Sequence, residues 1–201
     1  MEKRKGNASS AALFAGVFAL SSSAVFVKLA DAPSAVTAFY RLFLTALVLT
    51  PFLVFSRKNR KELLSLRPGQ TAHLVLAGVL LSVHYIMWFE SLNYTSVSSS
   101  AVLVALQPLY SILFGLVFLK ESVSKSGIIG CLIAIIGSAV IGFGDFQINS
   151  TALWGDLLAF AAAGVIAAYF LIGQVVRKNI SAVTYSVPSY FSSVLFLLIY
   201  I

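Results

Sequence analysis

Arg41 stands inside the apolar run AFYRLFLTALVL, and three more polar side chains hold comparable places. They are His84 and Trp88 in SVHYIMWFE, and Gln107, beside Pro108, in VALQPLYS. A charge inside a membrane span costs on the order of 3 kcal/mol by insertion scales, so Arg41 reads by default as a functional residue. The competing reading is a helix-packing arginine paired with Glu90. His84 has the chemistry of a proton-coupling group or of a buried hydrogen bonder. Trp88 either stacks on a bound solute or belongs to an interfacial aromatic belt. Pro108 removes the helical partner of the Val104 carbonyl, leaving an acceptor beside Gln107 and a bend in the chain.

Other chemistry finds less support in these residues. Ser91 and His84 share a helical face, as a membrane-embedded hydrolase would need, yet no nucleophile-elbow sequence surrounds the serine and that face has no carboxylate. Cys131 is the single cysteine, so no disulfide or metal framework is expected. No glycine-rich phosphate loop followed by lysine appears, which argues against direct ATP drive. The expectation is no catalytic residue, no metal and no cofactor.

The spacing places these residues on polar stripes. Thr37, Arg41 and Thr45 share one face; His84, Trp88, Ser91 and Thr95 another; Ser100, Gln107 and Ser111 a third; Ser21 and Lys28 a fourth. At about 1.5 Å per residue, Arg41 lies roughly 9 Å, His84 roughly 13 Å and Gln107 roughly 15 Å from the outer end of its run. Converging polar faces predict a wet cavity near the midplane. Gly130, Ala134, Ser138 and Gly142 form a different stripe, of small residues, which predicts close helix packing.

The elements that must position them follow from composition. Of 201 residues, 59% are hydrophobic and 10% charged, with mean hydropathy +0.95, far from a soluble domain. Seven apolar runs reach spanning length: near Ala11 to Ala30, Ala35 to Phe55, Thr71 to Leu92, Val97 to Leu119, Ser126 to Phe143, Leu153 to Gln174 and Thr184 to Ile201. They predict an all-α polytopic membrane protein. A cleaved signal peptide fits the first run poorly, since it is too long and more spans follow.

Basic residues fall in every second loop, while DAPS, NYTS and GDFQINSTALWGD hold no Lys or Arg. The positive-inside rule then puts the N-terminus and the basic loops in the cytoplasm. The net charge of +7 is spread over loops, not gathered on one face, so nucleic acid is not an expected partner. The motif SAVT opens the second run at Ser34 and the seventh at Ser181. Because five spans separate the copies, the second enters from the opposite side, as in an inverted repeat.

FVKLADAPSAVTAFYR with Lys28, Pro33 and Arg41, SLNYTSVSSSAVLVALQPLYSILFGLVFLKES with Tyr94, Pro108 and Glu121, and GIIGCLIAIIGSAVIG with Gly130 and Gly137 resemble the EamA-type proteins of the drug/metabolite transporter superfamily. The resemblance implies a ten-helix inverted-repeat fold, with residues 11–143 the first five-helix repeat and 153–201 the first two helices of the second. It implies a carrier in the inner membrane of a prokaryotic cell, exporting a small polar metabolite such as an amino acid by alternating access. Arg41, His84, Trp88, Gln107 and Pro108 are then the expected substrate-binding residues, and a homo-oligomer is possible. Two departures are Pro188 at the Arg41-equivalent position and the three helices short of ten. An inactive or accessory fragment is the alternative.

Overall fold

The computed structural model describes residues 14, 16–19, 22–148 and 151–201, in which every regular element is a helix. Residues 22–29 form α1, followed by α2 (Ser34–Phe55), α3 (Arg57–Leu64), α4 (Pro68–Tyr94), α5 (Val97–Val104), α6 (Gln107–Phe114), α7 (Lys125–Ile148), α8 (Ala152–Val176) and α9 (Ala182–Tyr200). Among the described residues five stretches are long and apolar enough to cross a membrane: α2, α4, Val97–Leu119, α8 and α9. Of the seven runs, the first and, at Gly142, the fifth fall partly outside what the structure describes, and their described parts, in α1 and α7, are apolar helices.

The fourth run is broken. α5 stops at Val104, α6 starts at Gln107, and the joint closes through short-range bonds from the Leu106 N–H to Leu103 (3.2 Å) and from the Leu109 N–H to Leu106 (2.9 Å). Pro108 has no N–H to continue the ladder, so the break falls where the sequence requires it. A wide π-turn, Gly115–Leu119, then runs into Lys120, which is left-handed at φ 55°.

α4 occupies the centre, packed on α8, α9 and α2. Small residues make this possible: Ala38, Ala77, Ala162 and Ala163 are fully buried. Two glycines are tighter still. A Cβ on Gly78 would lie 2.5 Å from the Ser189 carbonyl, and one on Gly155 2.8 Å from the Thr95 nitrogen. Serines close the α4–α9 seam: Ser192 Oγ donates to the Val75 carbonyl (3.1 Å), and Ser82 Oγ lies 3.1 Å from the carbonyls of both Gly78 and Ser193. Interhelical hydroxyl bonds of this kind join helices where no hydrophobic gain is available.

The repeated SAVT marks two helix starts bound by carboxylates. At α2, Ser34 Oγ donates to Glu90 Oε2 (2.8 Å). At α9, Glu62 Oε2 accepts from the Ser181 N–H (2.7 Å) and the Thr184 hydroxyl (2.9 Å), while Ser181 Oγ donates to Asn59 Oδ1 (3.0 Å) and caps the Thr184 N–H. A negative charge at a helix N-terminus is stabilising. Since α9 begins against residues that directly follow the end of α2, and the two helices touch, they run in opposite directions.

The Ser181 backbone N–H, helped by the hydroxyls of Ser181 and Thr184 and by Lys58, holds the Glu62 carboxyl below the usual carboxylate range against the effect of partial burial. Its stabilisation is present above the unfolded pKa of about 4.3 and is lost as pH falls through the lower folded value. The Glu62→Gln chain is therefore expected to melt lower than the parent at neutral pH, and the difference should vanish in acid. Thermal melts in detergent between pH 3 and pH 7 check this.

Candidate functional site

Arg41 lies one residue from the buried stripe Ala38, Leu42 and Ala46 of α2, and so meets the aromatic face of α4. Its guanidinium carbon is 4.9 Å from the ring centre of Tyr85, 5.8 Å from Trp88 and 5.9 Å from Phe89, and it donates to Ser23 Oγ on α1. A desolvated cation over an aromatic face gains about 2 kcal/mol. Glu90 accepts from Ser34 and from Asn93 (3.3 Å) and forms no ion pair with Arg41. Lys28 donates to the Leu92 carbonyl at the end of α4. Ser21 lies outside the described residues.

His84 is buried on the α8 side of α4, its Nδ1 2.9 Å from the Ala162 carbonyl. A carbonyl only accepts, so Nδ1 carries the proton. The ring stacks on Trp88 at 5.7 Å, which places His84, Trp88 and Arg41 in one cluster. Trp88 is 7% exposed and its indole Nε1 has no hydrogen-bond partner. Leaving such a donor unmade costs about 1–3 kcal/mol, a deficit that a bound acceptor would remove.

Next to this cluster a cavity of about 490 Å³ opens between α4, α8 and α9. Tyr85 belongs to both, since it receives the Arg41 guanidinium and lines the cavity. Tyr169, Phe170, Tyr185 and Tyr190 complete an aromatic wall, with Arg177 in the lining as well. Tyr185 donates to the Tyr169 carbonyl (3.0 Å), and Gly173 leaves room for the Tyr185 ring, 3.3 Å from where a Cβ would stand. These tyrosines fall on none of the polar stripes, because their rings count as apolar. The available signal was that a buried phenol needs a hydrogen-bond partner, so a cluster of tyrosines in spans points to a polar lining.

Gln107 and Pro108 lie elsewhere. They line a second cavity of about 540 Å³ with Ser111, Glu121 and Ser124, which meets the aromatic cavity at Gln174, whose amide donates to Glu121 at 3.0 Å. The expected convergence of the polar stripes is thus spread over two adjoining cavities. Much of the stripes' hydrogen-bonding capacity is used within the fold: Thr45 donates to the Arg41 carbonyl (2.7 Å), Ser111 to that of Gln107 (3.1 Å), and Ser91 sits 2.6 Å from Ser100. Ser91 also donates to the Trp88 carbonyl and not to His84, so the hydrolase pair is not formed.

Asp156, within α8, is 5% exposed, and Thr95 Oγ1 donates to it at 2.8 Å. Gly155 permits this approach of α8 to the end of α4. Along α7, Ala134 packs against Leu103, Leu106 and Ala159, and Ser138 is half-buried. Gly130 has open space where a Cβ would be, and the surroundings of Gly142 lie outside what the structure describes. Close helix approach is carried by Gly78 and Gly155, not by Gly130.

Long apolar helices with a charged side chain held among them, beside an aromatic cavity, define a polytopic membrane protein. Residues 8–143 match the EamA-like transporter family, and the chain belongs to that family. It is similar to the uncharacterized transporter YyaM of Bacillus subtilis (strain 168), at 28% identity over 75% of this chain and 50% of that protein. An uncharacterized transporter of Clostridium kluyveri is 28% identical over 77% of the chain and 50% of its own length. The S-adenosylmethionine uptake transporter of Rickettsia bellii is 25% identical over 51% of the chain and 34% of its own length. The chain thus spans half the length of the first two relatives. No solved structure matches it.

Proposed function

We propose that this chain supplies the first seven helices of a ten-helix inverted-repeat carrier in a prokaryotic inner membrane, and that the carrier exports a small polar metabolite of the amino-acid type. The observation that carries the reading is the position of Arg41: a cation inside a span, stacked on Tyr85, at the edge of the aromatic cavity between α4, α8 and α9. Arg41 and the unpartnered indole N–H of Trp88 would hold the substrate's carboxylate, and the tyrosines its side chain. His84 positions Trp88 through their stack. Gln107 and Pro108 would line a second station on the substrate's route. The opposed α2 and α9, each starting with SAVT bound to a carboxylate, support the inverted repeat, with residues 11–143 and 153–201 as its two parts.

The Rickettsia relative is named for a substrate that is itself an amino acid bearing an adenine ring, which suits an aromatic wall beside an arginine. That relative is named for uptake, so direction needs its own measurement. In the proposed topology the basic loops and the N-terminus are cytoplasmic. The test is saturable flux of labelled amino acids and of S-adenosylmethionine in proteoliposomes of defined orientation. Flux is expected with the complete ten-helix carrier and not with the 201-residue chain alone, because a midplane site needs walls from both repeats. Saturable flux by the isolated chain would place the whole site within these helices and overturn the ten-helix requirement. No flux of either substrate class by the complete carrier would overturn the substrate assignment.

A further inference from the structure

The loop after α2 was expected to be a plain basic connection, but it folds into a helix with two unlike faces. In α3, Asn59, Glu62 and Leu63 are half-buried and turn inward, where Asn59 and Glu62 bind the start of α9. Arg57, Arg60, Lys61 and Leu64 follow the same three- and four-residue spacing on the opposite side, and all four are exposed. Leu64 is 86% exposed and Phe55, just before the helix, 84%. Eight residues give a rod about 12 Å long. It carries three cations in a row, with a bare apolar side chain at each end.

We propose that this outer face of α3 is a binding site for anionic phospholipid headgroups of the leaflet it abuts. The occupant follows from the chemistry of the face. The arginines present planar forks that match phosphate oxygens, Lys61 adds a compact charge between them, and Phe55 and Leu64 enter the acyl boundary on either side. A soluble phosphate would satisfy the cations and leave both apolar ends in water, whereas a lipid satisfies both. A basic juxtamembrane segment is attracted to anionic lipid in this way. Because the inner face of the same helix grips Ser181 and Thr184, lipid binding also steadies the entry of α9. The proposal rests on the chain's placement in a membrane and is independent of substrate and of orientation.

The test uses the full chain in nanodiscs of equal phosphatidylglycerol and phosphatidylcholine, with the lipids retained after release counted by native mass spectrometry. At low salt phosphatidylglycerol should be enriched over the bulk ratio by about fivefold for each cation engaged. The enrichment should fall toward the bulk ratio in 1 M salt, where charges are screened. The R57Q/R60Q/K61Q chain should lose it, while R57K/R60K should retain most of it. The parent chain should melt higher in phosphatidylglycerol than in phosphatidylcholine, and the triple variant should not. Retention at the bulk ratio by the parent, enrichment insensitive to salt, or undiminished enrichment in a folded triple variant would each overturn the proposal. Stripping of the lipid by millimolar inorganic phosphate would also overturn it, by showing a site for free phosphate. Should the triple variant fail to fold, the salt and R57K/R60K arms on folded protein still decide.

Discussion

Replacing Arg41 with glutamine in the complete carrier is expected to lower saturable flux about ten- to a hundredfold. The estimate follows from the worth of a hydrogen bond to a charged group, about 1.5–3 kcal/mol. Lysine at the same position should recover part of the loss, because it restores the charge without the planar group that lies over Tyr85. Since Arg41 also packs on three rings, its loss lowers stability too, and the melting midpoint must be recorded with the flux. Trp88→Phe separates the two effects. It leaves the Arg41 charge in place and removes the unpartnered N–H with part of the ring, so it should weaken substrate affinity while the midpoint records the relieved donor against the lost packing. Unchanged flux in Arg41→Gln together with unchanged affinity in Trp88→Phe would move the site away from this cluster.

The second large effect is structural. Alanine at Gly78 should destabilise the chain by about 3 kcal/mol, the upper end for overpacking, because the new methyl group would stand 2.5 Å from a carbonyl of α9 and 2.6 Å from the Ser192 Cβ. Neither atom is the end of a flexible side chain, so relief requires α9 to move away and break the Ser82 and Ser192 bonds. Gly155→Ala should do the same between α8 and the end of α4. In the same 201-residue chain Gly130→Ala should be neutral within about 0.5 kcal/mol, the range for sites away from such contacts. Melting in detergent ranks the three. A Gly130 effect equal to that of Gly78 would show that α7 packs more closely than its open surroundings indicate.

Local chemistry made the membrane class, the places of the apolar runs and the family legible without coordinates. Hydropathy is a property of a short window, and an arginine inside one stands out whatever surrounds it. The break before Pro108 was equally readable, since a missing N–H is a fact of one residue. The sequence also showed SAVT twice, although not why. The purpose became visible only when Glu90 and Glu62, distant in the chain, proved to bind the two helix starts.

Tertiary structure decided which polar groups remain available. A hydroxyl on a stripe is indistinguishable in sequence from one already spent on its own backbone, and Thr45 and Ser111 are spent. Whether a small residue permits close approach depends on what lies opposite, so Gly78 and Gly155 are crowded while Gly130 is open. The aromatic cavity draws its walls from α4, α8 and α9, helices whose rings look like ordinary apolar content one at a time. Composition and spacing are properties of a single helix. A cavity, and the partner of every buried donor around it, belongs to the arrangement of several, which is fixed only when the helices pack.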